Sequence, residues 1–126
     1  MPYSILIVDD STVVRRLIRS YIEASGAWRV CGEAENGEDA VEKVRELRPD
    51  VVILDFQMPV MNGLDAARQI ALLAPNTAML MLTMHDGEHL ARDARAAGIK
   101  DVLSKSDGIA DRLITSLGNV VPNVRI

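Results

Sequence analysis

Two short apolar runs that each end in a carboxylate constrain this chain more than any other feature. Residues 5–8 read ILIV and precede Asp9 and Asp10, and residues 51–54 read VVIL and precede Asp55. Uninterrupted apolar runs of this length predict strands that are buried on both faces of a parallel sheet. Acidic residues that follow such strands lie at the edge where open α/β sheets bind ligands. Because close like charges repel and burial penalises each of them, three converging carboxylates indicate a bound cation.

The rest of the chain continues the alternation of strands and helices. We predict strands at residues 4–8, 28–34, 50–54, 77–82 and 101–103, and helices at 12–25, 64–73, 87–97 and 107–120, with a further helix that ends before Pro49. Strands separated by helices of this length predict right-handed crossovers and a parallel sheet. We therefore expect an α/β fold, a doubly wound five-stranded parallel sheet of flavodoxin-like order 2-1-3-4-5 with helices on both faces.

Length and charge narrow the class of protein. At 126 residues the chain fits one domain, which we expect over residues 1–121, followed by a tail at 122–126 that is an extension or the stub of a longer chain. A net charge of −4 with scattered Lys and Arg argues against a nucleic-acid surface. No apolar run approaches the roughly 20 residues of a membrane span. Cys31 is the only cysteine, which excludes an intrachain disulfide and is typical of a reducing, cytoplasmic compartment.

Two further residues join the carboxylates by their position in the predicted sheet. Thr83 follows the fourth strand and Lys105 follows the fifth. In a sheet of order 2-1-3-4-5, strands one and three are neighbours, and strands four and five continue outward from them. The ends of these four strands would then surround one crevice with Asp9, Asp10, Asp55, Thr83 and Lys105.

This set of side chains is suited to phosphoryl transfer. Clustered carboxylates are the hard oxygen ligands that Mg²⁺ prefers. Lys105 supplies a positive charge for a phosphoryl oxygen, and Thr83 supplies a hydroxyl donor. A metal, a lysine and a hydroxyl together neutralise the charge on a phosphoryl group, which is most of what the transfer requires. One carboxylate must then be the nucleophile that forms an acyl phosphate; we choose Asp55 and leave Asp9 and Asp10 to hold the metal.

The same motifs resemble the receiver domain of bacterial two-component response regulators. The resemblance rests on residues 5–10 (ILIVDD), the loop at 55–63 (DFQMPVMNG), Thr83 and Lys105, and it covers essentially the whole chain. Residues 33–37 (EAENG) and the turn at 96–98 (AAG) further resemble the NarL/FixJ/LuxR-type branch, whose receivers usually precede a DNA-binding domain.

The resemblance implies a role for each site residue. Asp55 would be the phosphoacceptor, converted to 4-aspartylphosphate, with Thr83 and Lys105 binding the phosphoryl group. Asp10 would ligate Mg²⁺ directly and Asp9 through water, and the backbone carbonyl of Gln57 would complete the coordination by the protein.

The function implied is a phosphorylation-controlled switch rather than an enzyme, although it would assist its own phosphorylation and dephosphorylation. The phosphoryl donor would be a sensor histidine kinase or a histidine phosphotransfer protein. The chain would be a single-domain regulator or the receiver of a transcription regulator, with no direct binding of nucleic acid or membrane. Apolar residues on the first and last helices suggest a homodimer that phosphorylation strengthens; they are Ile18, Tyr21, Ile22, Ile109 and Leu113.

Two positions depart from the family's pattern, and two polar residues extend the site. Val102 stands where an aromatic switch residue is common, and Ser106 stands where proline commonly follows the lysine, which leaves the isomer of the Lys105–Ser106 bond open. Gln57 and His85 lie two residues beyond Asp55 and Thr83, where we expect them either to tune hydrolysis of the phosphoryl group or to be exposed loop residues.

Three other functions compete with this one. A small aspartyl-phosphate phosphatase generally carries an Asp-x-Asp spacing on its first strand and a cap over the substrate, and neither is found in this sequence. A nucleotide- or flavin-binding module would need a glycine-rich turn after strand one, where Ser11 and Thr12 stand instead. The third alternative, a receiver-like interaction module that is never phosphorylated, conflicts with the intact acidic site.

Overall fold

Five strands and five helices alternate along the chain in a computed structural model, which describes residues 3–84, 88–106 and 108–120. The strands are β1 (Tyr3–Val8), β2 (Trp28–Ala34), β3 (Val51–Asp55), β4 (Ala78–Thr83) and β5 (Asp101–Ser104). The helices are α1 (Thr12–Ser25), α2 (Gly37–Leu47), α3 (Gly63–Leu73), α4 (Glu88–Ala96) and α5 (Ile109–Val120). Every predicted element is present. The predicted first residues of the last two helices, Gly87 and Asp107, and the boundary at residue 121 lie outside the described residues.

The sheet has the predicted order, β2-β1-β3-β4-β5, and every neighbouring pair of strands is parallel. The α/β fold of flavodoxin-like order is therefore confirmed. In the register between β1 and β3, Val8 is paired with Leu54. The residues that follow, Asp9 and Asp55, therefore emerge side by side at the carboxyl edge of the sheet.

Apolar side chains cover both faces of the sheet, which explains the uninterrupted apolar runs. Leu6 and Val8 pack into a cluster with α2, α3 and α4, whereas Ile5 and Ile7 pack into a second cluster with α1 and α5. Successive side chains of a strand point to opposite faces, so a strand covered on both sides needs apolar residues at every position. The structure thus buries the two diagnostic runs completely.

Helix α1 is capped at both ends and buries only some of its apolar residues. Ser11 caps the helix by accepting a hydrogen bond from the Val14 backbone N–H at 3.2 Å, and Gly26 ends it with a left-handed φ of 73°. Within the helix, Ile18 and Ile22 are buried, but Val13 and Leu17 are 75% and 48% exposed. The buried stripe is therefore narrower than the run of apolar residues.

This packing corrects the surface that we expected for a homodimer. Ile18, Ile22 and Leu113 belong to the core between the sheet and helices α1 and α5, so they are not available to a second copy.

Of the five methionines at 58, 61, 79, 81 and 84, Met79 and Met81 are core residues, but Met84 is exposed. Within the residues that the structure describes, no helix combines the length and the apolar character needed to cross a membrane.

The loop between β3 and α3 contains a strained residue that offers a test of stability. Val60 has a φ of 71° and is 76% exposed, so a β-branched side chain occupies the left-handed region without packing against anything that requires it. Asparagine adopts this region more readily, and the penalty for other L-residues is about 1–2 kcal/mol. We expect Val60→Asn to raise the free energy of unfolding by about 1 kcal/mol in urea denaturation.

The matched control is Val13→Asn, which changes an equally exposed valine in a helix. We expect no gain in stability there, because residues within α1 have ordinary helical backbone, for which valine and asparagine have about the same intrinsic preference. Equal effects of the two substitutions would show that the φ of Val60 is not a source of strain.

Candidate functional site

Three carboxylates converge at the carboxyl edge of the sheet, as the sequence predicts. Asp9 follows β1 and Asp55 is the last residue of β3; they are only 1% and 7% exposed, whereas Asp10 faces solvent. One carboxylate oxygen from each of the three residues lies within 4.8 Å of the others. This donor set fits Mg²⁺, because all its ligands are hard oxygens and the exposed side leaves room for the water that Mg²⁺ retains.

Lys105 enters the same cluster from the end of β5. Its Nζ lies 2.8 Å from Asp9 Oδ2 and 3.1 Å from Asp55 Oδ1, so one ammonium bridges the two buried carboxylates. Its backbone N–H donates to the Thr83 carbonyl at 2.8 Å, which ties the lysine to the end of β4. The contact between Lys105 and Asp9 thus joins residues that are 96 positions apart in the sequence.

The electrostatics of the cluster favour additional positive charge. Burial raises the pKa of Asp55 and the Asp9 charge raises it further, against the opposing effect of the hydrogen bond from Lys105. For Lys105, burial would lower the pKa, but the hydrogen bonds and charges of Asp9 and Asp55 prevail and raise it. Lys105 therefore stays protonated at neutral pH. Its single positive charge does not fully neutralise the negative charges of the carboxylates.

Thr83 occupies the position expected for it. It is the last residue of β4 and is buried. The register pairs Asp55 with Leu82, so Thr83 lies one residue beyond the partner of Asp55 on the neighbouring strand. Its hydroxyl belongs to the same edge of the sheet as the carboxylates and Lys105.

Helix α1 contributes a site residue that sequence reasoning missed. Arg15 Nη1 donates to the Asp9 carbonyl at 2.6 Å, and its Nε donates to Glu33 Oε1 at 2.9 Å. Arg19 also donates to the Glu33 carboxylate. The Asp9 carboxylate is held separately, since its Oδ1 accepts from the Ser11 backbone N–H at 2.9 Å. Arg15 thus fixes the peptide between Asp9 and Asp10. Its position one turn into α1 was the sole sequence signal of this role.

The loop after β3 is shaped by a glycine that no larger residue could replace. A Cβ on Gly63 would lie 2.3 Å from the Asp55 carbonyl oxygen, so the first turn of α3 can approach the strand end only without a side chain. The Gly63 N–H donates to the Phe56 carbonyl at 2.9 Å, which closes the loop. Asp55 and its peptide are therefore held from both the strand and the helix.

The other predicted positions are resolved as follows. Gln57 is exposed, lines a surface depression together with Asp10, and hydrogen-bonds the Asp55 carboxylate through its backbone. His85 lies outside the described residues. Val102 is half-buried and packs against the core. No peptide bond among the described residues is cis, so the Lys105–Ser106 bond is trans.

Comparison with known proteins places this geometry in a family. The sequence model of the response regulator receiver domain matches residues 5–117. The chain is 40% identical over 101 residues to the chemotaxis protein CheY of Thermotoga maritima, a match that covers 80% of this chain and 83% of that protein.

Two other relatives show in what contexts such a domain is found. The chain is 40% identical over 106 residues to protein-glutamate methylesterase/protein-glutamine glutaminase 1 of Vibrio vulnificus, a match that covers 83% of this chain but 28% of that protein. A solved LuxR-family response regulator from Aurantimonas sp. SI85-9A1 superposes with a TM-score of 0.89 at 30% identity, covering 94% of this chain and 84% of that one. The sequence match over residues 5–117, the sheet order and the likeness to these proteins agree: the chain belongs to the response regulator receiver domains and is a phosphorylation-controlled signalling switch.

Proposed function

We propose that Asp55 accepts the phosphoryl group, with Mg²⁺ held by Asp9, Asp10, Asp55 and the backbone carbonyl of Gln57. The observation that carries this proposal is the contact of a single ammonium, that of Lys105, with two buried carboxylates beside an exposed third one. A cluster of this kind has too little positive charge for its carboxylates and lies open to a donor. The donor would be the phosphohistidine of a sensor histidine kinase or of a histidine phosphotransfer protein.

The transfer would be a displacement at phosphorus. A carboxylate oxygen of Asp55 attacks the phosphorus, the bond from phosphorus to the histidine nitrogen breaks, and the imidazole leaves with a proton from solvent. When bound, Mg²⁺ would neutralise part of the charge on the phosphoryl oxygens. Lys105, 3.1 Å from Asp55 Oδ1, is positioned to follow the transferred group and to bind one of its oxygens.

Asp55 rather than Asp9 is supported as the acceptor by access and by hydrogen bonding. Asp9 is almost completely buried, and its two oxygens accept from the Ser11 N–H and the Lys105 ammonium. Asp55 ends its strand beside the exposed Gln57 and the surface depression. Asp10 is exposed and belongs to the metal set, so it can ligate from the solvent side.

The output of the switch would follow from the new charge at Asp55. The acyl phosphate carries between about −1.5 and −2 charges at neutral pH where the carboxylate carried one negative charge, and it brings three acceptor oxygens. Lys105 and the Thr83 hydroxyl would bind these oxygens from the ends of β5 and β4. Their movement would rearrange the loops that follow these two strands. Since Val102 is not aromatic, this rearrangement cannot depend on a ring at that position.

The chain would act on its own carboxylate and not on an external substrate. It would assist its own phosphorylation and dephosphorylation through Lys105, Thr83 and the metal. A homodimer strengthened by phosphorylation stays a prediction; if it uses α1, the exposed Val13 and Leu17 are available to it and the buried Ile18 and Ile22 are not.

The test of this proposal is phosphorylation by a small donor. The purified chain is incubated with acetyl phosphate and Mg²⁺, and intact mass is expected to show one added phosphoryl group that EDTA prevents. Borohydride reduction of the acyl phosphate should convert Asp55 to homoserine, which peptide mapping identifies. A phosphoryl group that maps to any other residue would contradict the assignment.

Asp10→Asn serves as the metal control. Loss of a direct charged ligand should reduce Mg²⁺ affinity at least about tenfold, as measured by the Mg²⁺-dependent rise in the thermal midpoint. Asp93→Asn, on the exposed face of α4, makes the same chemical change away from the site and should leave the affinity unaltered. Equal Mg²⁺ affinity in wild type and Asp10→Asn would place the metal elsewhere.

A further inference from the structure

The backbone that carries Lys105 is bound by one side chain of helix α5. Arg112 Nη2 donates to the Ser104 carbonyl at 2.9 Å and to Ser106 Oγ at 2.9 Å, and it lies 3.4 Å from the Ser106 carbonyl. These acceptors belong to the residues immediately before and immediately after Lys105. One guanidinium therefore spans the peptide segment from which the catalytic ammonium extends.

Few other bonds fix this segment. The Lys105 N–H donates to the Thr83 carbonyl at 2.8 Å, and the Ser106 N–H donates to the Ser104 carbonyl at 2.9 Å in a narrow turn. A proline after the lysine would restrict the backbone by its ring, but Ser106 leaves φ free to rotate. The segment therefore depends on hydrogen bonds from outside it. On its carboxyl side the Ile109 N–H donates to the Ser106 carbonyl at 3.1 Å, and Arg112 supplies the hydrogen bond to Ser106 Oγ.

Among the residues that the structure describes, the side chain of Arg112 donates its hydrogen bonds to this segment alone. No carboxylate among residues 3–84, 88–106 and 108–120 forms an ion pair with its guanidinium, unlike those of Arg15, Arg19, Arg45 and Arg68. Its donors are instead used on the Ser104 and Ser106 oxygens. Because the side chain is exposed and no acid of the described part of the chain pairs with it, general stability of the fold gives little reason for its geometry.

We infer that Arg112 is a positioning residue for phosphoryl transfer, which holds the Ser104–Ser106 backbone so that the Lys105 ammonium stays on Asp9 and Asp55. The inference rests on the proposed function, in which Lys105 binds the phosphoryl group. A shift of about 1 Å in a group that must meet the transition state can slow a reaction as much as about a hundredfold. An arginine outside the cluster can thus control the rate without touching the reactants.

The first measurement is the rate of phosphorylation by acetyl phosphate at saturating Mg²⁺. Arg112→Met should slow it about fivefold, Arg112→Lys should slow it less because an ammonium can still reach one acceptor, and Ser106→Ala should slow it about twofold. Arg92→Met, an exposed arginine of α4, is the matched control and should leave the rate unchanged. A normal rate in Arg112→Met would overturn the inference, whereas a wild type that is never phosphorylated would overturn the proposed function.

A double-mutant cycle with Lys105→Met separates positioning from a structural role. If Arg112 acts through the lysine, Arg112→Met should change the phosphorylation rate of Lys105→Met by less than a factor of two. Equal slowing in both backgrounds would show that Arg112 acts on the fold in general and would overturn the inference.

Amide hydrogen exchange gives a readout that needs no phosphorylation. In Arg112→Met, exchange of the Lys105 and Ser106 amides should accelerate several-fold, while the core strand β3 keeps the protection of wild type. Unchanged exchange at both amides would show that the guanidinium does not hold the segment, and would overturn the inference even if the rate had fallen.

Discussion

Replacing Asp55 by asparagine is expected to abolish phosphorylation and, in the absence of metal, to stabilise the domain. The amide cannot form an acyl phosphate, so acetyl phosphate and Mg²⁺ should leave the intact mass of Asp55→Asn unchanged. The same substitution removes one of two buried carboxylates that share a single lysine. We expect the free energy of unfolding in EDTA at neutral pH to rise by about 1 kcal/mol, the usual scale of a single-site change.

The direction of the stability change follows from the raised pKa of Asp55. A carboxyl whose pKa is higher in the folded state than in the unfolded state favours folding while it is protonated. This contribution is present below the ordinary pKa of aspartate and is lost as the pH rises through the raised folded pKa, chiefly because burial opposes the charge. The advantage of Asp55→Asn should therefore be largest at neutral pH and should fade in acid.

Denaturation in urea at several pH values measures this dependence, and Asp93→Asn is again the matched control because its carboxylate is exposed on α4. The control should show neither the loss of phosphorylation nor the gain in stability. A stability gain for Asp55→Asn that persists unchanged at pH 3 would contradict the electrostatic explanation. A mass gain equal to that of wild type would contradict the assignment of the acceptor.

Replacing Lys105 by methionine is expected to cause the largest loss of stability. It leaves the buried carboxylates of Asp9 and Asp55 without their shared cation. Breaking a buried ion pair from one side costs about 3–5 kcal/mol, and because Lys105 is partly exposed we expect about 2–3 kcal/mol here, measured by urea denaturation in EDTA. Phosphorylation should slow as well, since the transferred group loses a positive partner.

The pH and metal dependence of this variant provide independent checks. The pKa of Lys105 is raised by its carboxylate partners, so while these are ionised its contribution to stability is fully present below the ordinary lysine range and is lost as the pH rises through the folded pKa. In the variant, protonating Asp55 should recover part of the lost stability in acid, and Mg²⁺ should recover part at neutral pH. Lys100→Met replaces an exposed lysine that forms no ion pair with any described residue, and it should change stability little. Equal losses at positions 100 and 105 would show that the bridging geometry contributes nothing.

Much of the site could be predicted because it follows strand ends. A run that is apolar at every position predicts a doubly covered strand, and parallel strands bring their carboxyl ends to one edge. That reasoning correctly brings Asp9, Asp55 and Lys105 together and places Thr83 at the end of β4. The Ser11 cap and the left-handed Gly26 and Gly98 likewise depend on residues close in sequence.

Other features could not be predicted, because they depend on how the elements are oriented against each other. Arg15 and Arg112 are ordinary helix arginines in the sequence, and only the packed structure turns their guanidinium groups toward the peptides beside Asp9 and Lys105. The left-handed φ of Val60 conflicts with local preference and accompanies a narrow turn in which the Met61 N–H donates to the Pro59 carbonyl. No pattern of residue types contains this information.

The sequence by itself determined the fold class, the order of the elements and the edge of the sheet where the acidic site lies. Only the tertiary structure decided which of two apolar positions on α1 is core, since Ile18 is buried and Leu17, one residue away, is 48% exposed. The physical reason is that periodicity marks which side chains share a helix face, whereas the rotation of that face against the sheet is set by the packing of the whole core.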